Sequence, residues 1–261
     1  MSQIRIGVQV QPQHATYANM RRTWAELDAL GADIIFTWDH FFPLQGDPDG
    51  LHFESLALQA AMAEVTERAQ IGALVMCNSY RNPQYLADAL RTIDHISGGR
   101  LIAGLGAGWF ERDYDEYGYE FGTAPDRLRA LRRDLPLFKE RLAKLNPAPV
   151  GPLPIMIGGT GEKVTLRLVA EHAQLWHGFG DLRRYEAKRD ILARHCADAG
   201  RDPHDIIHSW GIPQGRLEDA EALADAGVRV LTASVGGRDD ADYDLTTVKR
   251  VLRWRDERNA R

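Results

Sequence analysis

The chain has 261 residues, 44% of them hydrophobic, with a net charge of −5. That size allows a sizeable buried core in one large α/β domain or two small ones. The acidic balance argues against a nucleic-acid partner, and no apolar run approaches the ~20 residues of a membrane span.

The chain opens with a strand at residues 4–10 (IRIGVQV), then a helix at 17–30 closed by Gly31. Strand 33–38 precedes helix 54–67, and strand 69–76 precedes helix 83–96, with Pro83 near its start and Gly98-Gly99 after it. Strand 100–106 leads to a long helix at 125–143, and a proline-rich crossing reaches the strand and glycine turn "PIMIGGTG" and helix 162–172. Strands 173–180, 205–212 and 228–235 alternate with helices 183–199, 217–227 and 246–258. Strict alternation implies parallel strands joined by helical crossovers. Eight such units in about 250 residues predict one (β/α)₈ TIM-barrel domain over 1–261. An open doubly wound sheet would carry its glycine turn after the first strand, not after the fourth and fifth.

The start, MSQIRIGVQVQ, enters a strand at once and lacks the regions of a signal peptide. Cys77 and Cys196 are the only cysteines and have no metal spacing, so the expectation is a reducing, cytoplasmic compartment with no metal site. Cys77 reads as a small buried residue.

Barrel enzymes carry their sites at the C-terminal strand ends. There the sequence places Gln9, Gln11, Gln13 and His14; "TWDHFFP" with Trp38, Asp39 and His40; "CNSYRNP" with Asn78, Tyr80 and Arg81; "AGWFERDYDEYG"; GGTG; "WHGFG" with His177; and Trp210. An aromatic rim with a few titratable groups suits a flat ring whose phosphate lies at glycines. Gly158, Gly159, Thr160 and Gly161 lack the spacing of a Walker loop, yet strand, glycine turn and helix start are a setting for phosphate. The plain alternative is a β-to-α turn, and Lys163 is either a phosphate contact or a solvated charge. His40 is the strand-end candidate for proton transfer, the alternative being a loop-bracing polar residue. Adjacent side chains on extended chain point apart, so no Asp39–His40 bond is expected. Core packing is the expectation for Trp38, Trp109 and Trp176. The five carboxylates of "ERDYDEYGYE" match no metal loop and are expected to form a solvated lid.

"TWDHFFP", "GALVMCNSYRNP", "DHISGGRLIAGLGAGWFERDYDEYGYEFG" and "IMIGGTGEKVTLRLVAEHAQLWH" resemble the luciferase-like monooxygenase superfamily, in particular its coenzyme F420-dependent oxidoreductases. The resemblance runs through almost the whole chain, in order. It implies a deazaflavin cofactor, with FMN as the alternative, its ring over the barrel mouth and its phosphate on Gly158, Gly159, Thr160 and Gly161. It implies a strand-three bulge with a non-proline cis peptide at Ala73-Leu74 backing the ring. Gly106, Ala107 and Gly108 would line the cofactor, Asp39, Met76 and Asn78 would lie near it, and His40 would stand near the reacting carbon; His177 is a further cofactor candidate.

The function this implies is hydride transfer between F420 and a small organic substrate. The alternatives are an FMN-dependent monooxygenase fed by a separate reductase, and a barrel that binds a phosphorylated ligand without chemistry. Relatives usually carry a longer excursion before strand five than 144–153, which leaves the substrate class open. No nucleic-acid or membrane partner is expected, and a homodimer stays open.

Overall fold

In the computed structural model, which describes residues 3–238 and 241–261, the strands are β1 (Arg5–Val10), β2 (Ile34–Thr37), β3 (Gln70–Ala73), β4 (Met76–Cys77), β5 (Leu101–Gly106), β6 (Ile155–Gly158), β7 (Leu175–Gly178), β8 (Ile207–Gly211) and β9 (Val230–Val235). The helices are α1 (Tyr17–Ala29), α2 (Ser55–Val65), α3 (Pro83–Ile96), α4 (Glu111–Tyr117), α5 (Ala124–Lys144), α6 (Thr165–His172), α7 (Leu182–Asp198), α8 (Leu217–Asp225) and α9 (Thr246–Asn259). The strands pair in parallel in the order β3-β2-β1-β9-β8-β7-β6-β5-β4, and β3 also pairs with β5, closing the ring. β3 and β4 are two halves of one broken stave, so the predicted eight-stave TIM barrel is what forms.

Both faces of these strands are covered, which is why β5 is buried along its whole length. Ile34, Phe36, Ile102, Met156, Leu175 and Val230 form one cluster, packed against Leu74 and Val75. A larger cluster joins strands to helices. Helix starts follow the expected chemistry. Asn82 caps α3 ahead of Pro83, and Thr123 and Asp126 form a capping box on α5.

The break in the third stave is a bulge. Gly72 stands opposite Ile102 and Met76 opposite Leu105, so four steps along this strand match three along β5. The cis peptide is Leu74-Val75, one residue beyond the expected Ala73-Leu74. Leu74 N donates to Thr37 O at 2.9 Å. Gln9 Nε2 donates to Leu74 O at 3.1 Å, pinning the bulge from β1. A Cβ on Gly106 would lie 2.6 Å from Val75 Cγ2, and one on Gly158 3.0 Å from the same side chain. Part of the glycine content of "GLGAG" therefore makes room for the bulge.

Two element expectations need correction. "ERDYDEY" is a helix, α4, rather than a solvated lid, because Asp113 and Tyr114 pack inward. The helix after GGTG begins at Thr165, not at Glu162, because Glu162 to Val164 form a turn first. Among the described residues no helix is long and apolar enough to cross a membrane.

Candidate active site

A cavity of 1410 Å³ opens at the C-terminal end of the barrel. That exceeds the ~300–1,000 Å³ of a site for one drug-sized ligand, so it has room for two molecules. Its wall includes Asp39, His40, Leu74, Met76, Gly106, Ala107, Gly108, Gly158, Gly159, Thr160, Gly161 and His177. Two expected residues fall outside. Ala73 joins the strand–helix cluster, because the bulge that turns Leu74 and Val75 inward comes after it. Asn78 begins a one-turn 3₁₀ segment that carries it away from the cavity, and its amide donates to Asp134 Oδ2 at 2.8 Å.

His40 is tied to Asp113, a residue the sequence reading assigned to the lid. Four of the five carboxylates there are exposed as expected, but Asp113 is fully buried. Its Oδ1 accepts from Phe41 N at 3.0 Å and Phe42 N at 3.2 Å. Its Oδ2 accepts from the Tyr80 hydroxyl at 2.8 Å and His40 Nδ1 at 2.7 Å. A carboxylate with donors all round assigns the proton to His40 Nδ1 and leaves Nε2 with a lone pair. The imidazole can then take a proton at Nε2 and, once protonated, return it. The signal was present in the sequence: Phe110, Tyr114 and Tyr117 form an aromatic stripe at helical spacing, and Asp113 lies within it.

Asp39 and His40 diverge, as expected of neighbours on extended chain. Asp39 accepts from Arg81 Nη1 at 2.7 Å, Arg81 Nη2 at 2.9 Å and Cys77 N at 2.8 Å. Burial opposes the charge on Arg81, but Asp39 and then Glu54 raise its guanidinium above the ordinary range. This two-pronged pair clamps the loop after β2 to the loop after β4. Cys77 Sγ lies 3.2 Å from the Tyr114 hydroxyl, and burial pushes the thiol up to about 11, so it stays neutral.

The glycine turn is held on both sides. Gly159 N donates to His177 O at 2.9 Å, and Gly159 O accepts from Trp176 Nε1 at 2.9 Å. An anion in the turn therefore draws on amides after Gly159. Arg184 Nη2 donates to Thr160 Oγ1 at 2.9 Å, putting a cation at the turn that the sequence reading missed; it comes from α7, beyond any local motif. Lys163 is exposed and outside the cavity wall. Trp176 is core, as expected. Trp38 is buried, as expected, and also lines the cavity, whereas Trp109 is 61% exposed, against the core expectation, because β5 ends before it at the barrel mouth.

His177 Nδ1 lies 2.9 Å from Ser209 Oγ, and burial lowers its pKa to about 4. Burial likewise lowers His52 and His208 to about 4. Unfolding restores the ordinary histidine value near 6.5. The unfolded chain therefore binds more protons between those values, and stability falls as pH drops from about 6.5 to about 4. His177 alone accounts for up to roughly 3 kcal/mol of that loss. Urea unfolding at pH 7.5 and pH 5.0 should show a lower midpoint in acid, and His177→Asn should shrink the difference, leaving the share of His52 and His208. Equal midpoints for the unaltered chain would contradict this.

The luciferase-like monooxygenase family model matches residues 1–235. An F420-dependent glucose-6-phosphate dehydrogenase of Amycolatopsis mediterranei is 30% identical over 155 residues, covering 52% of this chain and 46% of that protein. An uncharacterised protein of Mycobacterium tuberculosis is 27% identical over 195 residues, covering 69% of this chain and 67% of that one. The chain spans under half the length of the glucose-6-phosphate dehydrogenases first matched. Among solved structures, an F420-dependent secondary alcohol dehydrogenase in complex with an F420-acetone adduct superposes with a TM-score of 0.81 at 14% identity, covering 95% of this chain and 98% of that one. An F420-dependent tetrahydromethanopterin reductase from Methanopyrus kandleri gives 0.72 at 15% identity, covering 96% and 97%. These likenesses speak to the fold, and the family match over most of the length speaks to descent: the chain belongs to the luciferase-like monooxygenase family.

Proposed function

We propose that this protein is an F420-dependent oxidoreductase that moves a hydride between the deazaflavin and a small organic substrate. The observation that carries the reading is His40, fixed by buried Asp113, at one side of a two-ligand cavity whose other side is a pinned glycine turn. The names of relatives matched over part of their length support the choice of cofactor.

The residues fit the group. Glycines at 106 and 158 make room for Val75, so that Leu74 and Val75 of the bulge line the cavity beside the glycine turn. Gly158, Gly159, Thr160 and Gly161, with Arg184 beside them, would hold the phosphate. Leu74 and Met76 would back the ring, Gly106, Ala107 and Gly108 would flank it, and Asp39 would brace the wall through Arg81. His177 would face it from β7. Bound there, the deazaflavin supplies a ring carbon that carries hydride two electrons at a time and does not readily activate oxygen. His40 holds or moves the matching proton at Nε2. We read 1–261 as one barrel domain acting in the cytoplasm on a small molecule, and the unpaired, buried Cys77 and Cys196 suit a reducing compartment.

Titration of the purified protein with F420 and with FMN, followed by fluorescence, tests the reading. Tighter binding of F420 is expected. Micromolar FMN binding with no measurable F420 binding would overturn it in favour of the FMN monooxygenase.

A further inference from the structure

The cavity wall around His40 is aromatic, and most of its side-chain polar atoms beyond His40 Nε2 are already paired. Trp38, Trp109 and Phe110 stand with ring centroids 5.8, 5.6 and 5.6 Å from the His40 ring. Trp38 Nε1 donates to His52 Nε2 at 2.9 Å, so this indole offers the cavity only its ring. The Tyr80 hydroxyl is taken by Asp113, the Asp39 carboxylate by Arg81, and the Cys77 thiol is neutral. Leu44, Val75 and Met76 complete this side. Trp109 is 61% exposed and lines the cavity, so its ring is open to a ligand there.

Cations are scarce on the same wall. Arg238 is the only lysine or arginine lining the cavity among the described residues, and it faces Asp244 at 3.9 Å. Arg184 lies at the glycine turn, where the proposed function already uses it. A phosphate dianion is best held by arginine or lysine partners, and leaving one among paired polar groups and rings is costly.

Resting on the oxidoreductase reading, we propose that the substrate is an uncharged apolar alcohol or its carbonyl partner, preferably aromatic, packed on Trp109 and Trp38 with its oxygen at His40 Nε2, and not a sugar phosphate. In the alcohol, the hydrogen on the carbinol carbon leaves as hydride to oxidised F420. The hydroxyl proton passes to His40, and the carbon–oxygen double bond forms. The reverse consumes reduced F420 and one proton.

The test is calorimetry of the protein with acetophenone and with glucose 6-phosphate, with and without F420. Acetophenone should bind, and Trp109→Ala should weaken it by about ten-fold while the F420 affinity, read by the cofactor's own fluorescence, moves by no more than a few-fold. Glucose 6-phosphate should neither bind nor compete. Glucose 6-phosphate binding, failure of acetophenone to bind, or an unchanged acetophenone affinity in Trp109→Ala would each overturn the proposal. Acetophenone binding without F420 binding would instead contradict the oxidoreductase reading and leave the aromatic site standing. F420 binding without acetophenone binding would do the reverse.

Discussion

His40→Ala should lower turnover by about 10²–10⁴-fold, the usual worth of a positioned general acid or base, while cofactor affinity stays within a few-fold. The expectation follows from the geometry around the ring. Asp113 fixes Nδ1, so only Nε2 is left to meet a substrate. The competing view is that His40 braces the loop between β2 and the aromatic residues Phe41 and Phe42. Those two residues are already held to Asp113 through their backbone amides, independently of the imidazole. Removing the ring therefore leaves the loop two of its anchors. Turnover at saturating cofactor and cofactor affinity, measured on the same preparation, separate the two views. Full turnover with weakened cofactor binding or a lower melting temperature would remove His40 from the chemistry.

The second large effect is expected at the glycine turn. Gly159 has φ +121, a conformation that side chains rarely adopt, and a Cβ there would lie 3.2 Å from Thr165 Cγ2. A β-branched residue adds χ1 restriction to that strain. Gly159 is also fixed through both its amide and its carbonyl, so the turn has little freedom to adapt. Gly159→Val should cost most of the cofactor affinity, with the fold intact by circular dichroism. An unchanged dissociation constant would mean that the turn only connects β6 to α6.

The barrel was legible because its code is local and repetitive. Apolar runs such as RLIAGLG, followed by helical spacing and glycine stops, repeat around the chain, and each stretch carries its own signal. The strand-end rule then pointed at the cavity wall built at the ends of β1 to β7 without any distance being known, and missed the part built at the ends of β8 and β9, Gly211 to Gly215 and Thr232 to Arg238. What escaped depended on one residue's position or on distant partners. The bulge displaces the cis peptide by a single residue and turns Ala73 away, and no periodicity specifies that step. Asn78 left the cavity because a 3₁₀ turn follows β4 at once. Asp113 was hidden among four solvated acids, and its partners lie 33 to 73 residues away in sequence. Arg184 reaches Thr160 across 24 residues from the next helix. Local pattern thus gave the scaffold, while the polar contacts that tune the site came from tertiary geometry.

A crystal structure of the protein with F420 bound would locate the cofactor outright. The phosphate is expected at Gly158 to Gly161 beside Arg184, the deazaflavin ring against Leu74 and Val75, and His40 Nε2 facing the open side of the ring. A cofactor bound elsewhere, or one whose phosphate avoids the glycine turn while its ring lies away from the bulge and His40, would contradict that placement.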